Sequence, residues 1–328
     1  MLLRRKNPED FHMFTRIPTV LRSQEIIDKS FLRASRITEP YHPKIEDKIR
    51  KEIMDRVSTI ESTTCSHLTK LVKKFPTIEL IHPFYRDMID LMFDIDHYKV
   101  SLSKVQWASE RITDLSTDVI RRLRSGKKVE DLNRMMREYY GRFSSIMLSI
   151  DKDLSFLGSC RDWIRQIPDI NPDLPTFLVA GMPNVGKSSL LSALTGTSPK
   201  VAPYPFTTQS IFIGYTTIGG KKVQIIDTPG ILDRPMAKRN EMELKSILSL
   251  KDIRGTVLFL IDPTGHSSYS LEQQEKLYQE IRKSLLSPII RVQAKCDLTD
   301  VRVEEIAISA STGTGMGRLR EEMEKYVK

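Results

Sequence analysis

The sequence predicts two domains of different class. An all-α helical bundle comes first, and an α/β domain with a mostly parallel sheet and helices on both faces follows. Three observations carry this. Residues 1–170 contain only three glycines and are dominated by long segments of helical period. The stretch IPDINPDLP, Ile167 to Pro175, puts three prolines among aspartates and asparagine, which stops any helix. From Thr176 onward, short apolar runs alternate with loops and helical segments, the pattern of βαβ units around a buried sheet. The expected organisation is a helical domain at 1–170, a linker at 171–175 and an α/β domain at 176–328.

Within the first domain, Phe84, Met88, Leu91, Ile95, Tyr98, Leu102 and Val105 recur in steps of four and three. That 3.5-residue repeat predicts one long helix with a single buried seam. Residues 44–74 and 130–165 also read as helices, with Ile45, Ile49 and Ile53 as one apolar stripe. In the second domain TFLVAG, KKVQIID, TVLFLID and PIIRVQA read as strands, and IAISAS (Ile306 to Ser311) ends another.

The chain has 328 residues, 40% of them hydrophobic, so it can bury a sizeable core. Its formal charge of +9 favours an acidic partner such as nucleic acid without requiring one. The three cysteines are far apart, with no CxxC, as a reducing compartment would allow. The six histidines lack metal-site spacing. MLLRRKNPED is not followed by the apolar core of a signal peptide. No window is apolar over the roughly 18 residues of a membrane helix. These features predict a cytoplasmic protein with no membrane partner.

The strongest motif is GMPNVGKSS, comprising Gly181, Met182, Pro183, Asn184, Val185, Gly186, Lys187, Ser188 and Ser189. It satisfies G-x-x-x-x-G-K-[ST] between a strand and a helical SSLLSAL, the setting in which backbone N–H groups cradle phosphates. Gly186 allows close backbone approach, Lys187 reaches the β- and γ-phosphates, and the Ser188 hydroxyl can ligate Mg²⁺. DTPG follows on a strand end. Asp227 there suits Mg²⁺, usually through water, and with Thr228 and Pro229 it leads to Gly230, whose N–H can meet a γ-phosphate. Losing that phosphate would release the following loop as a switch. Between these motifs, PYPFTTQS offers Thr207 and Thr208 to close over metal and phosphate, and Thr208 is preferred. Lys295 and Asp297 follow PIIRVQA at the carboxyl edge of the sheet. Asp297 can accept guanine N1–H and N2–H₂, the Lys295 stem can lie over the base, and the Ala310 N–H beside Ser309 is placed for O6. Taken alone, K-x-D is a common tripeptide. Its order after the phosphate loop and DTPG, and before ISAS, supports a guanine-reading role.

GMPNVGKSS, PYPFTT, DTPGILD, the K-x-D and the SA element together resemble a Ras-like P-loop GTPase domain of the Obg-like branch of translation-factor-related GTPases. FTRIPTVLRSQEIIDKSFLRASRITEP (Phe14–Pro40) and FYRDMIDLMFDIDHYKVSL (Phe84–Leu102) resemble the helical N-terminal domain of the Nog-type family, the nucleolar G proteins and their archaeal relatives. The chain ends after the last helix of the expected G domain, as archaeal-type members do, whereas eukaryotic members carry a long C-terminal extension. The resemblance implies GTP/GDP and Mg²⁺ binding, slow GTP hydrolysis, and a role in assembly of the large ribosomal subunit. Its partners would be that subunit or its precursor and rRNA, with no DNA expected. It assigns Gly181–Ser189 to the phosphates, Thr208 and Asp227–Gly230 to the switches, and Lys295, Asp297 and Ala310 to guanine.

Two departures matter. Ala294 stands where GTPases usually have an Asn bracing this loop to the phosphate loop. Ile231 stands where many have a water-orienting Gln. Lys187, Thr208, Gly230 and Asn184 are then the candidates for the phosphate chemistry. In some relatives an Asn at the position of Asn184 helps hold K⁺ beside the phosphates; the alternative is that it only stabilises the loop. A non-hydrolysing GTP-gated RNA- or ribosome-binding module and a P-loop ATPase are the competing functions, and Asp297 argues against the latter. Val119–Arg142 carries eight basic against three acidic residues, with Tyr139 and Tyr140 near its end. It reads either as a solvated helix pair with tyrosines in its core or as an rRNA contact with stacking aromatics.

Overall fold

The computed structural model describes residues 17–40, 43–167, 170–196, 199–203, 210–227, 230, 232–233, 250–253, 255–285 and 287–327. The chain divides into two compact units, one formed by Met13–Ile78 with Phe93–Arg165 and the other by Glu79–Met92 with Gln166–Lys328.

In the helical unit α1 (Ser23–Ser35), α2 (Ile45–Lys74), α4 (Ile95–Ser125), α5 (Val129–Ser149) and α6 (Asp151–Ile164) pack together. The buried face of α2 is Ile53, Val57, Ile60, Thr64, Leu68 and Leu71. Each aliphatic side chain there contributes about 2 kcal/mol by leaving water. The expected stripe does not start this face, since Ile45 is exposed and Ile49 only partly covered. The seam of α4 carries Ser101, Ser109 and Ser116 among its apolar residues. Buried polar groups need partners, and they have them: Ser101 donates to Asp153 at 3.0 Å, Ser109 pairs with Thr69 at 3.5 Å, and Ser116 pairs with Tyr139 at 3.0 Å.

The long helix expected through Phe84–Val105 is two helices. The first, α3 (Pro83–Met92), belongs to the sheet unit, and α4 begins after Asp94. The Asp94 carboxylate accepts the N–H groups of Asp96 and His97 at 2.8 and 3.0 Å, an N-cap that starts a new helix. The interruption preserves the phase of the repeat, so periodicity could not register it. Residues 130–165 likewise split, at Ile150.

The second unit holds a sheet in the order β2-β3-β4-β1-β5-β6, formed by β1 (Thr176–Ala180), β2 (Lys200–Pro203), β3 (Ser210–Ile218), β4 (Lys221–Asp227), β5 (Gly255–Ile261) and β6 (Ile289–Gln293). Central β1 pairs parallel with β4 and β5, and β5 pairs parallel with β6, while β2–β3 and β3–β4 are antiparallel. Every residue of β1 is buried, which explains its uninterrupted apolar character. The sequence reading missed β2 and β3. Gly219 and Gly220, both at positive φ, make the two-residue turn from β3 to β4. The expected strand at IAISAS is only a bridge between Gln293 and Ala307, flanked by hydrogen bonds from Gln293 N to Ile306 O and from Ile308 N to Gln293 O, each 2.8 Å. Helices α7 (Lys187–Thr195), α8 (Leu271–Leu285) and α9 (Met316–Glu324) complete the described elements that matter for the site.

The segment expected as a linker, 171–175, packs on this sheet. Gln224 accepts the Asn171 N–H at 3.0 Å, Gln224 donates to Thr176 at 3.1 Å, and the Tyr85 hydroxyl donates to the Ile170 carbonyl. The compact units divide at Arg165–Gln166, and Glu79–Met92 lies in the unit that holds the sheet.

Candidate nucleotide-binding site

The phosphate-loop motif lies between the carboxyl end of β1 and the N-terminus of α7, beside the ends of β4 and β5. Its backbone explains its residues. Gly181 has φ 136°, and an added Cβ would come 2.6 Å from the Leu260 carbonyl oxygen. Asn184 sits at φ 63°, a left-handed conformation that Asn tolerates better than most residues, and its side chain is exposed. Gly186, at φ 105°, caps α7. Lys187 is buried and donates to the carbonyls of Gly181 and Met182, each at 2.9 Å. Burial pushes its pKa down, and the carboxylates of Asp233 and Asp227 oppose that shift. Ser188 donates to Asp227 Oδ2 at 2.6 Å, bringing together the two oxygen ligands expected for Mg²⁺.

A cavity of about 450 Å³ opens here, lined by Pro183, Asn184, Gly186, Lys187, Ser188, Ser189, Asp233 and Lys295. Gly230, at φ 72°, donates its N–H to Asp233 Oδ2 at 2.7 Å, and the Leu232 carbonyl accepts the Gly181 N–H at 3.1 Å. The N–H expected to meet a γ-phosphate is thus engaged by a carboxylate of the same turn. Thr207, Thr208, Thr228, Pro229 and Ile231 lie outside the described residues.

The second half of the site is a cavity of about 190 Å³ lined in part by Val185, Ala294, Lys295, Asp297, Ser309 and Ala310. It brings together K-x-D and ISAS, which are more than ten residues apart in sequence. The loops are tied by a hydrogen bond from Cys296 N to Ile308 O at 3.1 Å, and Ser311 reaches Asp297 at 3.5 Å. Asp297 is exposed at the rim, where its carboxylate can accept donors from a ligand, while Ala294 is buried in the wall. Gly186, Ser189 and Lys295 line both cavities, so the two adjoin.

Sequence reasoning missed Asp262 and Asp233. Lys295, held at φ 55°, places its ammonium 2.7 Å from Asp262 Oδ2. Asp262 is fully covered, and Thr264 donates to it through both N–H and hydroxyl. Burial would raise its pKa, but the hydrogen bonds from Lys295 and Thr264 outweigh burial and hold the carboxyl below its usual range. Gln274 of α8 fixes the same corner, donating to the Asp262 carbonyl at 2.9 Å and accepting the Asp262 N–H at 2.8 Å. The available signal was an aspartate closing the apolar run TVLFLID, just as Asp227 closes KKVQIID.

In the helical unit, the basic segment Val119–Arg142 spans the end of α4 and most of α5. All eight of its basic side chains except Arg122 are exposed. Arg121, Arg122 and Arg134 pair with Asp118, Glu138 and Asp131. The tyrosines do not serve as stacking platforms. Tyr139 is fully buried, which raises its phenol pKa, and Tyr140 is half-buried with its ring 4.6 Å from that of Phe31. Helical spacing turns both toward the bundle.

Among the described residues no helix is long and apolar enough to cross a membrane, and no three His, Cys, Asp or Glu gather as a metal cluster. Mg²⁺ typically takes only one or two carboxylates together with phosphates and waters, so Ser188 with Asp227 is a fitting donor pair.

The chain is similar to known proteins along most of its length. Residues 14–171 match the family described as NOG1 N-terminal helical domain, and residues 176–295 match that described as 50S ribosome-binding GTPase. An uncharacterized protein of Methanocaldococcus jannaschii is 34% identical over 88% of this chain and 81% of its own length. The probable nucleolar GTP-binding protein 1 of Dictyostelium discoideum is 36% identical over 87% of this chain and 43% of its own. Nucleolar GTP-binding protein 1 of Arabidopsis thaliana is 33% identical over 94% of this chain and 48% of its own. The chain therefore spans about half the length of these eukaryotic relatives, or somewhat less.

Proposed function

Because this chain belongs to the Nog-type family of P-loop GTPases, the relatives of nucleolar GTP-binding protein 1, we propose that it binds GTP, hydrolyses it to GDP and phosphate, and acts as a switch in assembly of the large ribosomal subunit. The observation that carries the nucleotide reading is that the two cavities adjoin at Gly186, Ser189 and Lys295. One end offers loop N–H groups and Lys187 to phosphates. The other offers Asp297 and the Ala310 backbone to a base with adjacent N–H donors.

In this reading the phosphates lie along the turn Gly181–Lys187 and at the N-terminus of α7, where successive N–H groups favour an anion. Lys187 leaves its two carbonyl partners for phosphate oxygens. Asp297 selects guanine, and Lys295, braced by Asp262, covers the base. A Mg²⁺ held by Ser188, Asp227 and, by resemblance, Thr208 supplies charge neutralisation on the phosphates. Water positioning lacks the usual Gln, since Ile231 follows Gly230. K⁺ held with the help of Asn184 is one substitute. Turnover should then be faster in KCl than in NaCl, and the difference should vanish in Asn184→Ala; equal rates in both salts would remove K⁺ from the scheme.

Support for the ribosomal role comes from the family description of residues 176–295, the names of the eukaryotic relatives, and the exposed cations of Val119–Arg142. In this reading those cations contact rRNA backbone in the cytoplasm. Association should fall steeply with salt and with charge reversal at Arg121, Arg122 and Arg124. Recovery of bound partners from extract with GTP and with GDP tests the role. Absence of a ribosomal particle in both states would overturn it while leaving nucleotide binding intact. The second reading, a GTP-gated module without hydrolysis, rests on Ala294 and Ile231. Multiple-turnover phosphate release from GTP would exclude it.

A further inference from the structure

Asp233 is buried to within 9% of full cover, yet it lines the phosphate cavity. Its Oδ2 accepts the Gly230 N–H at 2.7 Å. It also supports the charge of buried Lys187, ahead of Asp227 in that effect. The turn is fastened from the other side as well, since buried Leu232 presents its carbonyl to the Gly181 N–H of the phosphate loop. A carboxylate reaching back three residues to an N–H is a common way to close a turn. This one faces the cavity that the phosphate loop encloses and bears on the buried lysine of that loop.

We propose that Asp233 is a specificity-determining positioning residue whose carboxylate substitutes for the γ-phosphate when that position is empty, so that GTP must displace it and GDP need not. The inference rests on the GTP-binding reading above. Two anions cannot share the Gly230 N–H without strong repulsion, because Asp233 is itself nearly covered and a like charge beside a covered carboxylate is costly. Arrival of the γ-phosphate therefore expels the Asp233 side chain. The displaced carboxylate draws with it Leu232 and the bond to Gly181. A nucleotide lacking the γ-phosphate leaves the turn closed and Lys187 compensated. The turn thus weakens GTP relative to GDP and couples the presence of the third phosphate to release of the Leu232 carbonyl from the Gly181 N–H. A ligand changes this equilibrium only by its differential interaction with the two states, and Asp233 supplies that difference within the chain.

The test compares GDP with a non-hydrolysable GTP analogue, binding to the full chain in Mg²⁺ buffer, for the natural protein, Asp233→Asn and Asp233→Ser. Asn retains a carbonyl oxygen for the Gly230 N–H, so the turn can still close without the charge, and Ser guards against a specific defect of the amide. The expected result is a shift in the GTP-analogue to GDP affinity ratio toward the analogue by roughly fivefold to thirtyfold in both variants, the range expected when a charge-assisted hydrogen bond no longer has to be broken. A merely structural role would move both affinities together and leave the ratio unchanged. An unchanged ratio in two variants that bind GDP overturns the inference and leaves the GTP-binding reading standing. Failure of the natural chain to bind either nucleotide overturns both.

Discussion

Replacing Asp262 by asparagine removes the charge opposite Lys295 while keeping an oxygen for the Thr264 donors. The carboxylate is fully covered, and its partner ammonium, 2.7 Å away, is about one quarter exposed. A hydrogen bond to a charged group contributes about 1.5–3 kcal/mol. Water reaches the lysine more readily than the aspartate, so some of that loss is recovered, and about 1–2 kcal/mol remains. Lys295 is held at φ 55° in the wall shared by the base and phosphate cavities. Loosening it should therefore appear in nucleotide affinity. A loss of 1–2 kcal/mol corresponds to a Kd roughly five to thirty times higher. Equilibrium titration with a fluorescent GDP measures this directly. Preference for guanine over adenine should persist, because Asp297 is untouched. Lys295→Met and the double variant complete a cycle in which the two single losses should not add. An unaltered Kd in Asp262→Asn, or additivity within about 0.5 kcal/mol, would refute the claim that Asp262 acts through Lys295.

Other consequences are equally accessible. Ala294→Asn places an amide in the buried wall of the base cavity, beside the loop that Ala294 joins to Ile261 through a 2.8 Å hydrogen bond; GDP should dissociate more slowly than from the natural chain, with guanine specificity kept, as stopped-flow displacement will show. Gly315→Ala should lower Tm by roughly 4–8 °C, about 2 kcal/mol, because φ is 73° and the new Cβ would lie 2.1 Å from the Ala307 carbonyl oxygen, whereas Gly317→Ala, with open space around it, should be tolerated. In the helical unit the Arg22 guanidinium and the Ser23 N–H hold the Asp151 carboxyl down to about 2, against an ordinary value of 3.8. A depressed carboxyl stabilises the fold fully above its unfolded pKa and loses that contribution as pH falls toward the folded value. Stability should thus decline between about pH 4 and pH 2, and Asp151→Asn should be less stable than the natural chain at neutral pH and show a shallower decline in acid urea melts.

The site's loops were legible where a short segment dictates its own geometry. Gly181, Asn184 and Gly186 occupy backbone conformations that favour those residue types, so the phosphate loop is written in contiguous sequence. Strands β1, β4, β5 and β6 were legible because they stand out as apolar runs. The edge pair β2–β3 was not, because it mixes Lys, Pro, Ser, Thr and Gly with its apolar residues. The break between α3 and α4 hid behind a repeat whose phase crosses Asp94 unchanged. Whether Tyr139 stacks or packs stayed open in the sequence, because charge is visible there whereas its bond to Ser116, on another helix, is not. Asp262 and Asp233 share that limitation. Each acquires its role only when a separate loop brings Lys295 or Lys187 to it.

The central claim is that the adjoining cavities read guanine through Asp297 and phosphates through the loop at Gly181–Ser189. Competition of GTP, ATP and XTP for the natural chain and for Asp297→Asn tests it most directly. The account predicts that the natural chain prefers GTP and that the variant shifts its preference to XTP, because the amide inverts one hydrogen-bond polarity at the base. Equal competition by ATP, or a variant that still prefers GTP, would contradict it.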